Sequence, residues 1–216
     1  MIPRNCRFNP TTNGPVHLGH ALIALVNEYH AHHTGGKFIV RFDDNQRFWK
    51  WRFTRVELAD FESSIKDDLE WLGIQVDQWD RQSDMEAEAA RLLEHLLAYH
   101  NLTLEKFLPM PLPFYYPLIA DVPEYMGIGP YPYAPWLTLE KVVMDSLESI
   151  DWLIRGIDLI TESSLYYYFA QMLGIPSPKH DYVGRLMADT GQIWNGNSVS
   201  KQTGGRSIGE VRQKGY

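Results

Sequence analysis

Residues 6–44 of this chain, CRFNPTTNGPVHLGHALIALVNEYHAHHTGGKFIVRFDD, decide its fold. The first three residues predict a short strand, and the turn that follows is rich in proline, asparagine and glycine. A helix then runs to Gly35 and Gly36. Residues 37–44 form an apolar run of the kind found in strands that are buried on both faces. The stretch therefore predicts a βαβ unit, and with it a parallel sheet.

Two helical patterns follow this unit. Residues 54–72 carry apolar side chains at helical spacing and end before Gly73, and residues 83–99 repeat that spacing. Each segment begins with a capping box, in which two side chains satisfy backbone N–H groups at the helix start. The predicted boxes are Thr54 with Glu57 and Ser83 with Glu86.

Strand and helix patterns alternate again in the last third of the chain. Residues 141–156 have the pattern of two strands around a turn, residues 163–176 that of a helix, and residues 181–191 that of a strand with its turn. Residues 102–137 are crowded with proline and tyrosine, which indicates an irregular insertion. The alternation predicts an α/β fold with a doubly wound, Rossmann-like parallel sheet. Its predicted parts are a first half (1–101), the reduced insertion (102–137) and a second half (138–216).

The composition is that of an ordinary globular protein. The 216 residues suffice for one main domain with an insertion, and 44% hydrophobic with 22% charged residues exclude a disordered chain. A formal net charge of −7 argues against nonspecific nucleic-acid binding through bulk positive charge. There is no signal-peptide pattern and no apolar run of membrane-spanning length, so we expect a cytoplasmic protein with no membrane partner.

The metal-ligating residue types do not predict a metal site. The single cysteine, Cys6, excludes an internal disulfide and an all-cysteine zinc site, and we expect it to be a small buried hydrophobe. His30, His32 and His33 cluster near the end of the first helix, which could form a metal patch. Without a nearby carboxylate, we interpret them as a polar helix end.

His17 and His20 are three residues apart at the start of the first helix. This spacing puts both imidazoles on one face, where they can reach one ligand. A helix N-terminus also supplies unpaired N–H groups that suit nucleotide phosphates, and Gly19 would let a nucleotide approach the backbone. From spacing alone, two histidines that only cap and decorate the helix are the alternative.

Five motifs occur in an order that is typical of one enzyme family. They are RFNPTTNGPVHLGHA (7–21), VRFDDNQ (40–46), DDLEWLGIQVDQWDRQS (67–83), DWLIRGIDLITESSLYYYFAQMLGIPSP (151–178) and VSKQTGGRSIGEVRQKGY (199–216). The first resembles the HIGH signature, and the last resembles the KMSKS loop with the short helix after it. Together they resemble the catalytic domain of class I aminoacyl-tRNA synthetases of the glutamyl and glutaminyl branch. The resemblance covers nearly the whole chain except about residues 102–137.

The resemblance implies ATP-dependent activation of an amino acid, with Mg²⁺ accompanying ATP. The amino acid's carboxylate attacks the α-phosphorus and pyrophosphate leaves, so protein groups mainly position reactants and neutralise charge. It assigns catalytic roles to His17, His20 and Lys201. Contacts with ATP are assigned to Gly19, Ser200 and Lys201, the last being a point charge on a glycine-rich stretch. A solvated loop lysine is the alternative for Lys201.

The resemblance also assigns the amino-acid site. Arg7 and Arg155 each offer a planar fork that can grip a carboxylate, and Asp43 can accept hydrogen bonds from an ammonium group. In glutamyl enzymes the arginine of the RG motif recognises the side-chain carboxylate, so Arg155 favours glutamate. Structural ion pairs are the alternative for these residues, and we expect Arg41 and Asp44 to be such a supporting pair.

The chain also departs from the family. Thr138 stands where a substrate-binding tyrosine is usual, which weakens the assignment of the amino acid. The insertion is much shorter than the family's acceptor-stem-binding domain, and the sequence stops at Tyr216, where the family continues into anticodon-binding domains. We therefore leave the acceptor open between tRNA and another molecule, and a separate tRNA-binding subunit is an alternative.

Two other functions compete with this interpretation. The strand, turn and HxGH-type helix also occur in nucleotidyltransferases, which release pyrophosphate too, but the later WLIRG and VSKQTGG motifs have no place in them. A non-catalytic paralogue that binds nucleotide or amino acid is the other alternative. The presence of His17, His20 and Lys201 argues against simple decay of an enzyme.

Overall fold

The computed structural model describes residues 2–44, 55–103, 134–184 and 207–215. The strands of this part of the chain are β1 (Cys6–Phe8), β2 (Phe38–Phe42), β3 (Gln78–Arg81), β4 (Trp152–Gly156) and β5 (Lys179–Val183). The helices are α1 (Leu18–Thr34), α2 (Arg55–Trp71), α3 (Gln82–Tyr99), α4 (Ala134–Leu147), α5 (Ile160–Met172) and α6 (Ile208–Gln213), with a 3₁₀ turn at Ile157–Leu159.

The strands form one parallel sheet in the order β3-β2-β1-β4-β5. The chain builds the sheet outward from β1 in one direction, then returns to the other side of β1 with β4. This reversal is the mark of a doubly wound fold, and it confirms the predicted α/β, Rossmann-like class.

The chain forms two compact units. The first contains residues 1–84, 149–161 and 178–216, and the second contains residues 85–148 and 162–177. Most of the predicted insertion lies outside the described residues, so the predicted three-part division of the chain stays a prediction.

The core of the first unit lies between the sheet and α1. The residues of α1 that are buried, Ala21, Ala24, Asn27 and Ala31, are all small or short, which lets the helix lie close to the strands. The helix ends at Gly35, as predicted. This glycine has a φ of +79°, and its N–H donates to the last carbonyls of the helix. The buried apolar side chains of this core are Cys6, Phe8, Val16, Ala21, Ala24, Ala31, Phe38, Val40, Phe42, Ile65, Leu69, Ile74 and Ile208.

The second unit shows one error in the sequence interpretation. The first of the two strands predicted within residues 141–156 is wrong, because those residues continue α4 to Leu147 and only β4 follows. Leu139, Val142 and Val143 are buried at a helical spacing of three and four residues. The β-branched pair was mistaken for a strand, although its register fits one helix face.

Three hydrogen bonds connect α4 with α5 in the described part of this unit. The Tyr166 hydroxyl donates to Asp145 Oδ2 over 3.0 Å, and both residues are buried. The Thr138 hydroxyl donates to Glu162 Oε1 over 3.3 Å, and Lys141 Nζ lies 3.4 Å from the same oxygen. Thr138, which we expected at the family's tyrosine position, is thus part of a helix-to-helix polar contact.

The start of α3 also differs from the prediction. The helix begins at Gln82, so Ser83 lies within it and is not the capping residue. Instead, the Ser83 backbone N–H donates to Asp44 Oδ1 over 2.9 Å, and its hydroxyl donates to Asp44 Oδ2. The edge strand β3, which pairs with β2, was missed because its four residues are short for a strand pattern. The other predicted box includes Thr54, which lies outside the described residues.

Candidate active site

The pairing of β1 with β4 stops before the carboxyl ends of these strands, and we call the space between those ends the crevice. Among the described residues, the two strands share one register pair, Cys6 with Trp152. Two residues further along β4, the Ile154 carbonyl accepts from Asn27 Nδ2 over 2.8 Å, and the Ile154 N–H donates to Asn27 Oδ1 over 3.4 Å. Helix α1 thus satisfies the backbone of β4 where β1 has separated from it. In doubly wound folds, this point of reversed strand order is where ligands bind.

His17 caps the helix that begins beside this crevice. Its Nδ1 accepts hydrogen bonds from the backbone N–H groups of Gly19, over 3.1 Å, and His20, over 3.4 Å. The two predicted histidines lie together, with ring centroids 3.8 Å apart and planes 24° from parallel. The structure corrects one expectation, because at least two N–H groups that were predicted to be unpaired are bonded to His17.

The cap determines the tautomer of His17. Because Nδ1 accepts two hydrogen bonds, the proton of the neutral ring is on Nε2, which is then a donor. Gly19 makes the cap possible, since a Cβ atom at this position would lie 2.9 Å from His17 Cε1. The role of Gly19 in nucleotide approach stays a prediction, but its role in accommodating the imidazole was missed.

The C-terminal segment returns to the same place. Ser207 forms an antiparallel bridge with His17, and the Ile208 N–H donates to the Val16 carbonyl over 2.9 Å. Ile208 is buried, and Ser207 caps α6 in a capping box with Glu210. The segment just after the KMSKS-like loop therefore lies against the HIGH-like turn. Ser200 and Lys201 lie outside the described residues, so their roles stay predictions.

A buried carboxyl group supports the turn before His17. Asp68 of α2 accepts a hydrogen bond from the Val16 backbone N–H. Burial raises the pKa of Asp68, and the Val16 bond and the charge of Arg212 on α6 oppose that shift only in part. This carboxyl group therefore connects α2 with the turn that carries His17. The sequence placed Asp68 within a family motif but did not predict this contact.

Three arginines lie on the sheet face opposite α1. Cys6 and Phe8 pack toward α1, so Arg7 between them points to the other face. By the same alternation and the strand registers, Arg41 of β2 and Arg155 of β4 point to that face. Their exposures are only 6%, 0% and 7%, respectively. The structure thus brings the two predicted carboxylate-binding arginines onto adjacent strands, one on each side of the crevice.

Asp43 lies at the end of β2, as predicted. Its backbone N–H donates to the Pro10 carbonyl over 2.9 Å, and it forms a parallel bridge with Thr11. These bonds hold the loop after β1 against the end of β2. The expected pairing of Arg41 with Asp44 is replaced by other contacts, because Arg41 Nη2 donates to Asn9 Oδ1 and Asp44 accepts from Ser83.

The histidines near the end of α1 lie at the amino-terminal ends of the strands, away from the crevice. His32 Nε2 lies 2.8 Å from Asp77 Oδ2, and its Nδ1 lies 3.2 Å from Glu28 Oε1. The expectation that no carboxylate would be near these histidines was therefore wrong. Over residues 2–44, 55–103, 134–184 and 207–215, no group of three or more His, Cys, Asp or Glu residues could hold a metal ion. Within the same ranges, no helix is both long enough and apolar enough to cross a bilayer.

Comparison with known proteins identifies relatives of this chain. Residues 5–104 match a family described as the catalytic domain of class I tRNA synthetases (E and Q). Glutamate–tRNA ligase 1 of Rubrobacter xylanophilus is 27% identical over 227 residues, which cover 97% of this chain and 50% of that protein. The corresponding ligase of Methanocaldococcus jannaschii is 40% identical over 78 residues, which cover 36% of this chain and 13% of that protein. This chain therefore spans half or less of these two relatives.

Two solved structures share the fold. The glutamate–tRNA ligase of Elizabethkingia meningosepticum, in complex with its amino acid, superposes with a TM-score of 0.65 at 17% identity, covering 99% of this chain and 53% of that one. The tyrosyl-tRNA synthetase of Archaeoglobus fulgidus, complexed with L-tyrosine, gives 0.67 at 18% identity, covering 99% and 65%. Because proteins named for different amino acids superpose equally well, the fold does not identify the substrate.

Proposed function

We propose that this chain activates glutamate with ATP, because residues 5–104 match the catalytic-domain family of class I tRNA synthetases for glutamate and glutamine. A carboxylate oxygen of glutamate attacks the α-phosphorus, and the bond to the bridging oxygen of pyrophosphate breaks. The products are glutamyl-adenylate and pyrophosphate. Transfer of the glutamyl group to a tRNA or another acceptor would follow.

The observation that carries this proposal is the arrangement of donors around the crevice between β1 and β4. The start of α1 lies on one side with the Nε2–H donor of His17 and the stacked ring of His20. Such donors suit phosphate oxygens on which charge develops. On the other face of the sheet, Arg7 and Arg155 provide two buried guanidinium groups for an anionic substrate.

The remaining predicted groups complete the reaction. Asp43 would accept hydrogen bonds from the glutamate ammonium, because it lies at the carboxyl end of β2. Gly19 would allow ATP to approach the start of α1. Ser200 and Lys201 would contact the phosphates, and the ammonium of Lys201 would neutralise charge as pyrophosphate leaves.

Magnesium would accompany ATP in this reaction. Among the described residues, no cluster of carboxylates and imidazoles is suited to hold it. Mg²⁺ commonly binds through substrate phosphates and water with few protein ligands. The ion would supply charge neutralisation on the triphosphate.

The first test is amino-acid-dependent exchange of labelled pyrophosphate into ATP. Glutamate, glutamine and aspartate are each assayed with and without bulk tRNA. We expect exchange with glutamate, and a loss of at least about tenfold in Lys201→Ala, since a charge-assisted contact contributes about 1.5–3 kcal/mol. The matched control is Lys37→Ala. Lys37 is exposed and directly precedes β2, so it lies at the amino-terminal ends of the strands and away from the crevice.

The outcomes separate the candidate functions. Exchange that requires tRNA would indicate an RNA acceptor. Stabilisation of the fold by ATP or glutamate without any exchange would support a non-catalytic binding protein. Equal exchange in Lys201→Ala and the wild-type chain would contradict the assigned role of Lys201.

A further inference from the structure

Asn9 is a partly buried polar residue beside the crevice, and neither the motifs nor the relatives give it a role. It directly follows β1, and by strand alternation it points to the same sheet face as Arg7. Arg41 Nη2 of β2 donates a hydrogen bond to Asn9 Oδ1 over 3.3 Å. Because a guanidinium group only donates, the amide oxygen of Asn9 must face Arg41. The amide nitrogen is therefore turned away from β2.

The strand on the other side of β1 is β4. Cys6 is level with Trp152, and Asn9 and Arg155 each follow three residues later in the chain. Asn9 Nδ2 is buried and has no hydrogen-bond partner among the described residues. A buried amide nitrogen without an acceptor is costly, and such groups in folded proteins call for an explanation.

We propose that Asn9 donates a hydrogen bond to the side-chain carboxylate of the bound amino acid, opposite Arg155. Donors on both sides of a crevice need an acceptor between them, and a carboxylate accepts from several directions. Arg155 and the Nδ2 atom of Asn9 are both buried, and burial strengthens a hydrogen bond to an anion. Asn9 is then a specificity-determining residue, and Arg41 is a positioning residue that keeps its amide in the donating orientation. This inference rests on the proposed activation of glutamate.

The substitution Asn9→Asp tests the donor directly. It keeps the shape of the side chain and an oxygen that accepts from Arg41, but it replaces the N–H donors with an anionic oxygen. That oxygen would repel the glutamate carboxylate and accept from the amide of glutamine. We expect affinity for glutamate to fall at least about tenfold, and the ratio of glutamine to glutamate affinity to rise by a larger factor.

The measurement is equilibrium binding of glutamate and glutamine to the full chain by calorimetry. Asn101→Asp is the control, since Asn101 is exposed and the change in charge is identical. Asn9→Ala is measured as well, because it removes the donor without adding charge. We expect it to weaken glutamate binding about tenfold and glutamine binding less, and it keeps the test valid if Asn9→Asp does not fold.

Each outcome bears on a different statement. If the wild-type chain binds glutamate and both Asn9 variants bind it within twofold of Asn101→Asp, the role of Asn9 is refuted while the proposed activation stands. If the folded wild-type chain binds neither amino acid, the proposed function fails and this inference fails with it. A loss of glutamate affinity confined to the Asn9 variants supports the inference.

Discussion

Replacing Gly19 by alanine would disrupt the His17 cap while changing the stability of the folded chain little. The new Cβ would lie 2.9 Å from His17 Cε1, closer than Cβ atoms approach other atoms, and 3.1 Å from His17 Nδ1, which is also tight. The ring would have to leave its position above the first turn of α1. Its two hydrogen bonds to backbone N–H groups would then be lost.

The two energetic effects nearly cancel. Loss of an N-terminal cap costs about 0.5–2 kcal/mol. Alanine in a helix is favoured over glycine by about 0.8–1 kcal/mol. We therefore expect the free energy of unfolding of Gly19→Ala to change by no more than about 1 kcal/mol. The position of the His17 ring is lost regardless, so exchange of pyrophosphate into ATP should fall about tenfold or more.

Gly209→Ala is the matched control. Gly209 is the second residue of α6, as Gly19 is of α1, and each follows a capping residue directly preceding the helix. A Cβ at Gly209 would lie 3.8 Å from Ser207 Oγ, an ordinary contact. We expect this variant to retain exchange activity and to be equally or more stable.

The assays are thermal unfolding, pyrophosphate exchange and the ¹⁵N chemical shift of His17 Nδ1. The chemical shift reports the loss of the cap even if the chain shows no exchange. Exchange in Gly19→Ala within twofold of Gly209→Ala, or an unchanged Nδ1 shift, would refute the reasoning.

Three further predictions concern stability. Burial raises the pKa of Asp68 in the folded chain, so the stability that its protonated form contributes is present below the unfolded pKa and is lost as pH rises. Asp68→Asn keeps an acceptor for the Val16 N–H. This variant should melt higher than wild type at pH 7 but not at about pH 3. Burial opposes the charge of Asp77, but hydrogen bonds, including one from His32, outweigh it and lower the pKa of this carboxyl group. Asp77→Asn should therefore melt lower than wild type at pH 7 and lose less stability than wild type below about pH 4. Parallel pH profiles of the melting temperature in the two proteins would contradict this. Ile208→Ala should cost about 2 kcal/mol or more in denaturant unfolding because Ile208 is 1% exposed, and an unchanged midpoint would show that α6 adds nothing to the core.

Much of the fold could be predicted because its signals are local. The run Phe38–Phe42 is buried at every residue, which is why four of its five residues are apolar. Gly35 ends α1 in the left-handed conformation that its position in the pattern indicated. The two elements confirm the βαβ unit, and the parallel sheet follows from it.

The wrong predictions share a different cause. Residues 141–147 carry adjacent β-branched side chains, and only the packed helix shows that Val142 and Val143 share a face with Leu139. Ser83 has the spacing of a helix cap, but its partner is Asp44, which is 39 residues away in the sequence. A local pattern cannot reveal such a competing partner.

The candidate site could likewise be predicted only in part from the sequence. The sequence identified His17, His20, Arg7, Asp43 and Arg155 by motif. It left open whether His17 caps its own helix, since the cap depends on the absence of a Cβ at Gly19. Their roles in activation stay predictions until the exchange experiments are done.

By itself, the sequence determined the family resemblance, the alternation of strands and helices, and the doubly wound class, because periodicity and turn residues act over a few residues. Only the tertiary structure decided which distant groups meet. Strand register places Arg7, Arg41 and Arg155 on one face, Asn27 satisfies β4 where the sheet opens, and Ser207 returns to His17. These contacts join residues up to 190 positions apart, a distance over which no local pattern in the chain carries information.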